Sequence, residues 1–146
     1  MSLPFLCFLS TFNFLPYTRL MRYLGIDYGS KRVGVAISDP SKTIASPLAV
    51  LKNSTSLISE IKEICREKSV EAVVVGESKN YSFKDNFIMK EIRPFVEELK
   101  KVLGVPVYMH PEFLTSREAG HIQGHGEMLD ASAAALILKS YLENNK

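Results

Sequence analysis

The sequence predicts an α/β domain on a five-stranded mixed sheet, three antiparallel strands and then two parallel ones, with helices on both faces. Three observations predict it. Three strand-like runs follow one another with connections too short for a helix, which implies an antiparallel meander. From about residue 57 onward, helical and strand periodicities alternate, the pattern of right-handed crossover units. The run EAVVVG at Glu71–Gly76 is continuously apolar, as a strand buried between helical layers must be.

Each element has its own signal. Arg22 to Asp27 is an apolar run closed by the turn residues Asp27-Tyr28-Gly29-Ser30. Val33 to Ser38 is a second strand, and Thr43 to Leu51 a third after the Asp39-Pro40 break. Leu57, Ile58, Ile61, Ile64 and Cys65 recur at helical spacing, with Asn53 as the expected cap. After the Glu71–Gly76 strand, Ile88, Ile92, Phe95, Val96, Leu99 and Leu103 trace a second amphipathic helix, which Pro94 should kink or restart. Val105 to Met109 reads as the fifth strand, and Ala119 to His121 as the end of a short third helix. The last helix spans about Leu129 to Leu142, its apolar stripe on Ala133, Ala134, Ile137, Leu138 and Tyr141. The first and fourth strands should be neighbours, with successive crossovers leaving to opposite sides. A crevice is then expected at the strand carboxyl ends.

Composition narrows the function classes. The 146 residues suit one domain, and a net charge of +2 provides no basic tail. Cys7 and Cys65 have no CxxC spacing, so neither a disulfide framework nor a structural zinc site is expected, and a reducing cytoplasm is the simplest compartment. Residues 1–20 are apolar and aromatic, with Arg19 their only charge, and are interrupted by Pro4, Asn13 and Pro16. That run is too broken to span a bilayer and lacks the organisation of a signal peptide. It is expected to be an extension outside the fold, leaving 21–146 as the domain and no membrane partner.

Carboxylates carry the chemistry. Asp27 closes the first strand and Glu77 follows the fourth, so adjacency of those strands would bring both acids to the crevice. Asp130 opens the last helix on its inward face, and Glu112 after the fifth strand is a possible fourth. Clustered carboxylates repel and raise one another's pKa unless a cation neutralises them. Oxygen-only donors suit Mg²⁺ or Mn²⁺, and two such ions can activate water and stabilise the leaving oxygen of a phosphodiester. Plainer readings stay open: Asp27 as a turn residue, Asp130 as a helix cap, Glu77 as a solvated loop acid, and Glu112 as part of a loop led by Pro111.

Lys31, Arg32, Lys79, Lys84 and Arg117 fall around the expected crevice, where a phosphate backbone needs cations, although a solvated charge pattern would look the same. His121 and His125, in GHIQGHGE, are either proton shuttles or surface histidines.

These segments also resemble a known family. GIDYGSKRVGVAISDP (Gly25 to Pro40) resembles the opening motif of the YqgF/RuvX family, in which an aspartate precedes a glycine turn, a basic pair and a GVA strand. EAVVVG with Glu77-Ser78-Lys79-Asn80 is similar to the second motif, HPEFLTSREA to the third and LDASAAALILKSYL to the fourth, in order across Met21 to Lys146. The resemblance implies a ribonuclease H-like fold and metal or catalytic roles for Asp27 and Asp130. It also implies a nuclease acting on pre-16S rRNA or Holliday-junction-like DNA. Two motifs depart from the family: Glu77-Ser78 stands where leucine-proline is usual, and Pro111-Glu112-Phe113 where Asp-Glu-Arg is usual. The loop before the last motif also lacks the family's lysine.

The expected partner is therefore RNA or branched DNA, with monomer and dimer both open. An actin-like or sugar-kinase-like ATPase would share the strand and Asp-x-Gly opening but needs a second domain and a phosphate loop. No GxxxxGK[ST] is present, so no nucleotide cofactor is expected. The remaining alternative is a non-catalytic nucleic-acid-binding or ribosome-assembly protein with a decayed site, for which the altered third motif speaks.

Overall fold

The computed structural model describes residues 20–78, 83–112 and 127–146, with the backbone alone at 78, 83–89, 112, 127 and 128. The chain runs through β1 (Arg22–Tyr28), β2 (Arg32–Ser38), β3 (Ala45–Lys52), α1 (Leu57–Glu67) and β4 (Val70–Ser78). It continues with α2 (Phe83–Leu103), β5 (Val107–Glu112) and α3 (Glu127–Asn144). The strands form a five-stranded sheet in the order β3-β2-β1-β4-β5. β1 pairs antiparallel with β2 and parallel with β4, β2 pairs antiparallel with β3, and β4 pairs parallel with β5. That is the mixed sheet the sequence predicts, with the first and fourth strands adjacent.

Alternation along the strands divides the core in two. Leu24, Ile26, Val33, Val35, Val73 and Val75 point to one face, where Leu57 and Ile61 of α1 and Ile92, Phe95, Val96 and Leu99 of α2 cover them. Ala36 and Val74 point to the other, under Ala134, Ile137, Leu138 and Leu142 of α3. Helices thus cover both faces, but α1 and α2 share one, against the expectation that successive crossovers leave to opposite sides. The reason is topological. β3, β4 and β5 run parallel, and both crossovers advance across the sheet in the same direction. Two right-handed crossovers that advance the same way must lie on the same face. The chain reaches the opposite face only after β5.

Four local departures from the sequence reading have physical causes. β3 begins at Ala45 because the Asp39 carboxylate accepts the backbone N–H groups of Thr43 and Ile44, each at 2.8 Å, and holds them in a turn. α2 is one helix from Phe83 to Leu103 with Pro94, solvent-exposed, inside it. β5 extends through Pro111, because an edge strand tolerates the missing N–H. The cap position of α1 is Ser56, whose hydroxyl donates to Glu60 at 2.7 Å, and Asn53 is engaged elsewhere. The short helix expected before His121 lies outside the described residues. No described helix is long and apolar enough to cross a membrane.

Candidate functional site

The site begins with a choice of face. Leu24 and Ile26 of β1 point toward α1 and α2, so Gly25 and Asp27 point toward α3. Two glycines let that helix come down onto the strands. A Cβ on Gly25 would lie 2.7 Å from the Leu138 Cβ and 2.9 Å from the Ala134 carbonyl oxygen. A Cβ on Gly34 would overlap the carbonyl of Asp130. Gly34 is the cross-strand partner of Asp27 in the β1–β2 ladder. The closest approach of helix to sheet is therefore beside Asp27, and it brings Asp130 there. Ala131, Ala134 and Ala135 are buried in the same contact, their small side chains permitting it.

The two acids feel each other. Burial, and then the charge of Asp130, push the Asp27 carboxyl up from 3.8 to about 6. Arg32, the first residue of β2, places its Nε 3.1 Å from Asp130 Oδ2. The contact is ionic without hydrogen-bond alignment, for Oδ2 is buried and has no hydrogen-bond partner among the described residues. A buried carboxylate oxygen without a donor is costly unless something else supplies positive charge. A partly buried pair of acids with one orphan oxygen fits a hard divalent cation. Among the described residues no three His, Cys, Asp or Glu side chains gather into a metal cluster. Asp27 and Asp130 are the pair the structure brings together.

Glu77 is not in this group. It lies within β4, one residue past Gly76, on the face of Val73 and Val75. There it lines a groove of about 340 Å³ with Arg93, Val96, Glu97, Lys100 and Met109. The sequence expectation that Glu77 meets Asp27 is therefore corrected: the sheet separates them. Glu112 ends β5 in register with Ser78, and only its backbone is described. Lys31 and Arg32 lie exposed at the β1–β2 turn, next to the acids. Lys79, Arg117, His121 and His125 lie outside the described residues, as does the side chain of Lys84.

Asn53 is the site residue that sequence reading misassigns. Its side-chain amide donates to the Gly29 carbonyl at 2.9 Å, and its backbone N–H donates to the Lys31 carbonyl at 3.0 Å. Coming from the end of β3, it clamps the turn that follows Asp27 and carries Arg32. A local signal for this is lacking, because the partner is 24 residues away. On the far side of α3, His110 Nε2 pairs with Ser140 Oγ at 2.9 Å, and its ring meets Tyr141 edge-on. That contact ties β5 to the helix.

Residues 21–144 match the family described as RuvX, Holliday junction resolvase. The chain belongs to that family. A relative from Nitratidesulfovibrio vulgaris, named "Putative pre-16S rRNA nuclease", is 37% identical over 132 residues, covering 84% of this chain and 93% of its own. A relative from Caldanaerobacter subterraneus bears the same name and is 36% identical over 137 residues, covering 86% and 99%. The structure of T. thermophilus RuvC in complex with a Holliday junction substrate superposes with a TM-score of 0.58 at 20% identity, over 85% of this chain and 94% of that one. The likeness to RuvC shows the fold of this RuvX-family chain to be ribonuclease H-like.

Proposed function

We propose that this protein is a metal-dependent nuclease that hydrolyses phosphodiester bonds in structured nucleic acid, with precursor 16S rRNA as the first substrate and branched DNA as the second. Family membership supports the nuclease class, and the relatives' shared name favours the rRNA precursor. The observation that carries the metal reading is the helix-borne Asp130 held against the strand-borne Asp27 by the close approach at Gly34.

Asp27 and Asp130 would hold Mg²⁺ or Mn²⁺, with Glu112, two residues past His110 in β5, as the next ligand to test. When bound, such ions activate water and offset charge on the leaving oxygen; a pair of them would do both. The chain's own residues do the rest. Without metal the Asp27 carboxyl keeps its proton more readily than usual, because burial and the charge of Asp130 disfavour its ionised form, and a bound cation would favour the ionised carboxylate instead. Lys31 and Arg32, exposed beside it, take the neighbouring backbone phosphates. By sequence, Lys79, Lys84 and Arg117 are further candidates for phosphate contact, and His121 and His125 are candidate proton shuttles for the leaving group. We place the activity in the cytoplasm and assign it to residues 21–146, a reading that the family match over residues 21–144 supports at its start.

The test is purified protein against RNA, duplex DNA and four-way-junction substrates with Mg²⁺ or Mn²⁺. Metal-dependent cleavage that disappears in Asp27→Asn supports the reading. Equal cleavage by Asp27→Asn with unchanged metal dependence would sink it. Binding without cleavage under every metal condition would favour the nucleic-acid-binding alternative instead.

A further inference from the structure

We infer that Arg32 is the built-in counter-ion of the metal-free site, displaced from Asp130 when a divalent cation binds and thereby freed to hold a substrate phosphate. The inference rests on the proposed metal role of Asp27 and Asp130 and deepens it, by coupling the loading of metal to the loading of nucleic acid.

Three observations carry it. Among the described residues, Arg32 is the cation that contacts Asp130, its Nε 3.1 Å from Oδ2. The contact is incomplete, since among the described residues the buried Oδ2 has no hydrogen-bond partner. Arg32 is also free to leave: 48% of its side chain is exposed, against 32% for Asp130, and its backbone is fixed at the start of β2. A planar fork that could pair bidentately with a carboxylate or a phosphate instead meets Asp130 through Nε alone. A doubly charged ion bound between Asp27 and Asp130 compensates the orphan oxygen better and repels the guanidinium.

The released guanidinium stays at the rim. Its backbone is anchored beside the turn that Asn53 clamps to β3, so it remains beside Asp130. There a phosphate oxygen is the available anion. Metal binding thus converts Arg32 from a carboxylate partner into a phosphate partner. By linkage, nucleic acid must then raise metal affinity by the same factor that metal raises nucleic-acid affinity.

The experiment uses the full chain. Free Mn²⁺ is measured by electron paramagnetic resonance during titration without nucleic acid, at about pH 8, where carboxyl groups are ionised. Wild type is compared with Arg32→Gln, Arg32→Lys and Asp130→Asn, each checked for a cooperative melt. Losing an exposed competing cation should tighten Mn²⁺ binding about two- to fivefold in Arg32→Gln. Arg32→Lys, which keeps the charge, should stay near wild type, and Asp130→Asn should lose the site. Unchanged or weaker binding in Arg32→Gln, with the site still lost in Asp130→Asn, overturns the inference and leaves the metal reading standing. An absence of saturable Mn²⁺ binding in wild type overturns both.

A second measurement tests the release step. A hairpin RNA is bound with and without Ca²⁺, chosen as a hard, oxygen-seeking cation in place of the catalytic ion. The gain in RNA affinity on adding Ca²⁺ should be smaller in Arg32→Gln than in wild type. Equal gains would show that Arg32 takes no phosphate on release.

Discussion

Gly34 lies directly beneath the peptide of Asp130, so close that a methyl group at position 34 would occupy the space of the Asp130 carbonyl. Because Gly34 is also the cross-strand partner of Asp27, one small residue sets the height of the helix and the spacing of both acids. A flexible side chain could rotate away from a methyl group, but helix backbone can yield only by the helix end shifting as a whole.

Gly34→Ala should therefore lift the start of α3. Overpacking of this kind costs on the order of 1–3 kcal/mol, and urea denaturation would read it directly. Mn²⁺ affinity should fall by more than the stability loss alone explains, since the acids are pulled apart. A stable Gly34→Ala protein with wild-type metal affinity would show that the close contact has no part in assembling the site.

The acid pair also predicts how stability depends on pH. Asp27 titrates at about 6 in the folded chain against an ordinary 3.8, so the folded state binds this proton more tightly than the unfolded one. The sign follows: stability from this group is fully present below about pH 4 and is lost as pH rises through about 6. A shift of roughly two units sets a ceiling of about 3 kcal/mol. Metal-free wild type should melt lower at pH 8 than at pH 5, and Asp27→Asn should flatten that difference. Saturating Mg²⁺ at pH 8 should restore the loss in wild type, by up to about 2.7 kcal/mol at a hundredfold excess over Kd, and do little for Asp130→Asn. Calorimetry at the two pH values, with and without Mg²⁺, checks all four outcomes.

Much of this architecture is legible in the sequence. The meander, the apolar Val73–Val75 run and the order of crossovers follow from period and connection length, and those features determine the sheet. Asp27 and Asp130 are legible because an acid at a strand end and an acid on an alanine-rich helix face break the local pattern. Glu77 is misread for a specific reason. Treated as a residue beyond the strand, it can be turned toward Asp27; in fact β4 continues through Ser78. A strand that continues by a single residue assigns each side chain to a fixed face, and the parity sends Glu77 to the α2 side. Asn53 escapes for another reason: a residue near a helix start reads as a cap, whereas its partner is a carbonyl two strands away.

That clamp yields a further expectation. Asn53→Ala removes the 2.9 Å hydrogen bond to Gly29 and leaves a partly buried carbonyl without its donor. The stability cost should be about 1 kcal/mol. Because the turn carries Lys31 and Arg32, nucleic-acid affinity should fall severalfold while Mn²⁺ affinity in the absence of nucleic acid stays within about twofold, less than the 0.5 kcal/mol usual between independent sites. Filter binding and Mn²⁺ titration on one preparation separate the two. A matched loss of both affinities would mean that Asn53 supports the acids themselves.

The last prediction concerns the acid on the other face. Glu77 stands with Arg93, Glu97 and Lys100 in the groove between β4 and α2, and the sheet lies between it and Asp27. If metal is held by Asp27 and Asp130, Glu77→Gln should leave Mn²⁺ affinity unchanged within error, while Asp130→Asn should remove it. Stability should move little, since surface charge changes away from buried partners stay within about 0.5 kcal/mol. Nuclease rate should follow the metal: near wild type in Glu77→Gln and lost in Asp130→Asn. The comparison is informative because the two changes are chemically alike, each replacing a carboxylate by its amide, and differ in which face of the sheet they alter. A Glu77→Gln protein that loses Mn²⁺ binding as completely as Asp130→Asn would require the end of β4 to turn over when metal binds, bringing Glu77 to the α3 side. Retained binding would leave Glu112 as the carboxylate to test next, by the same substitution and the same titration.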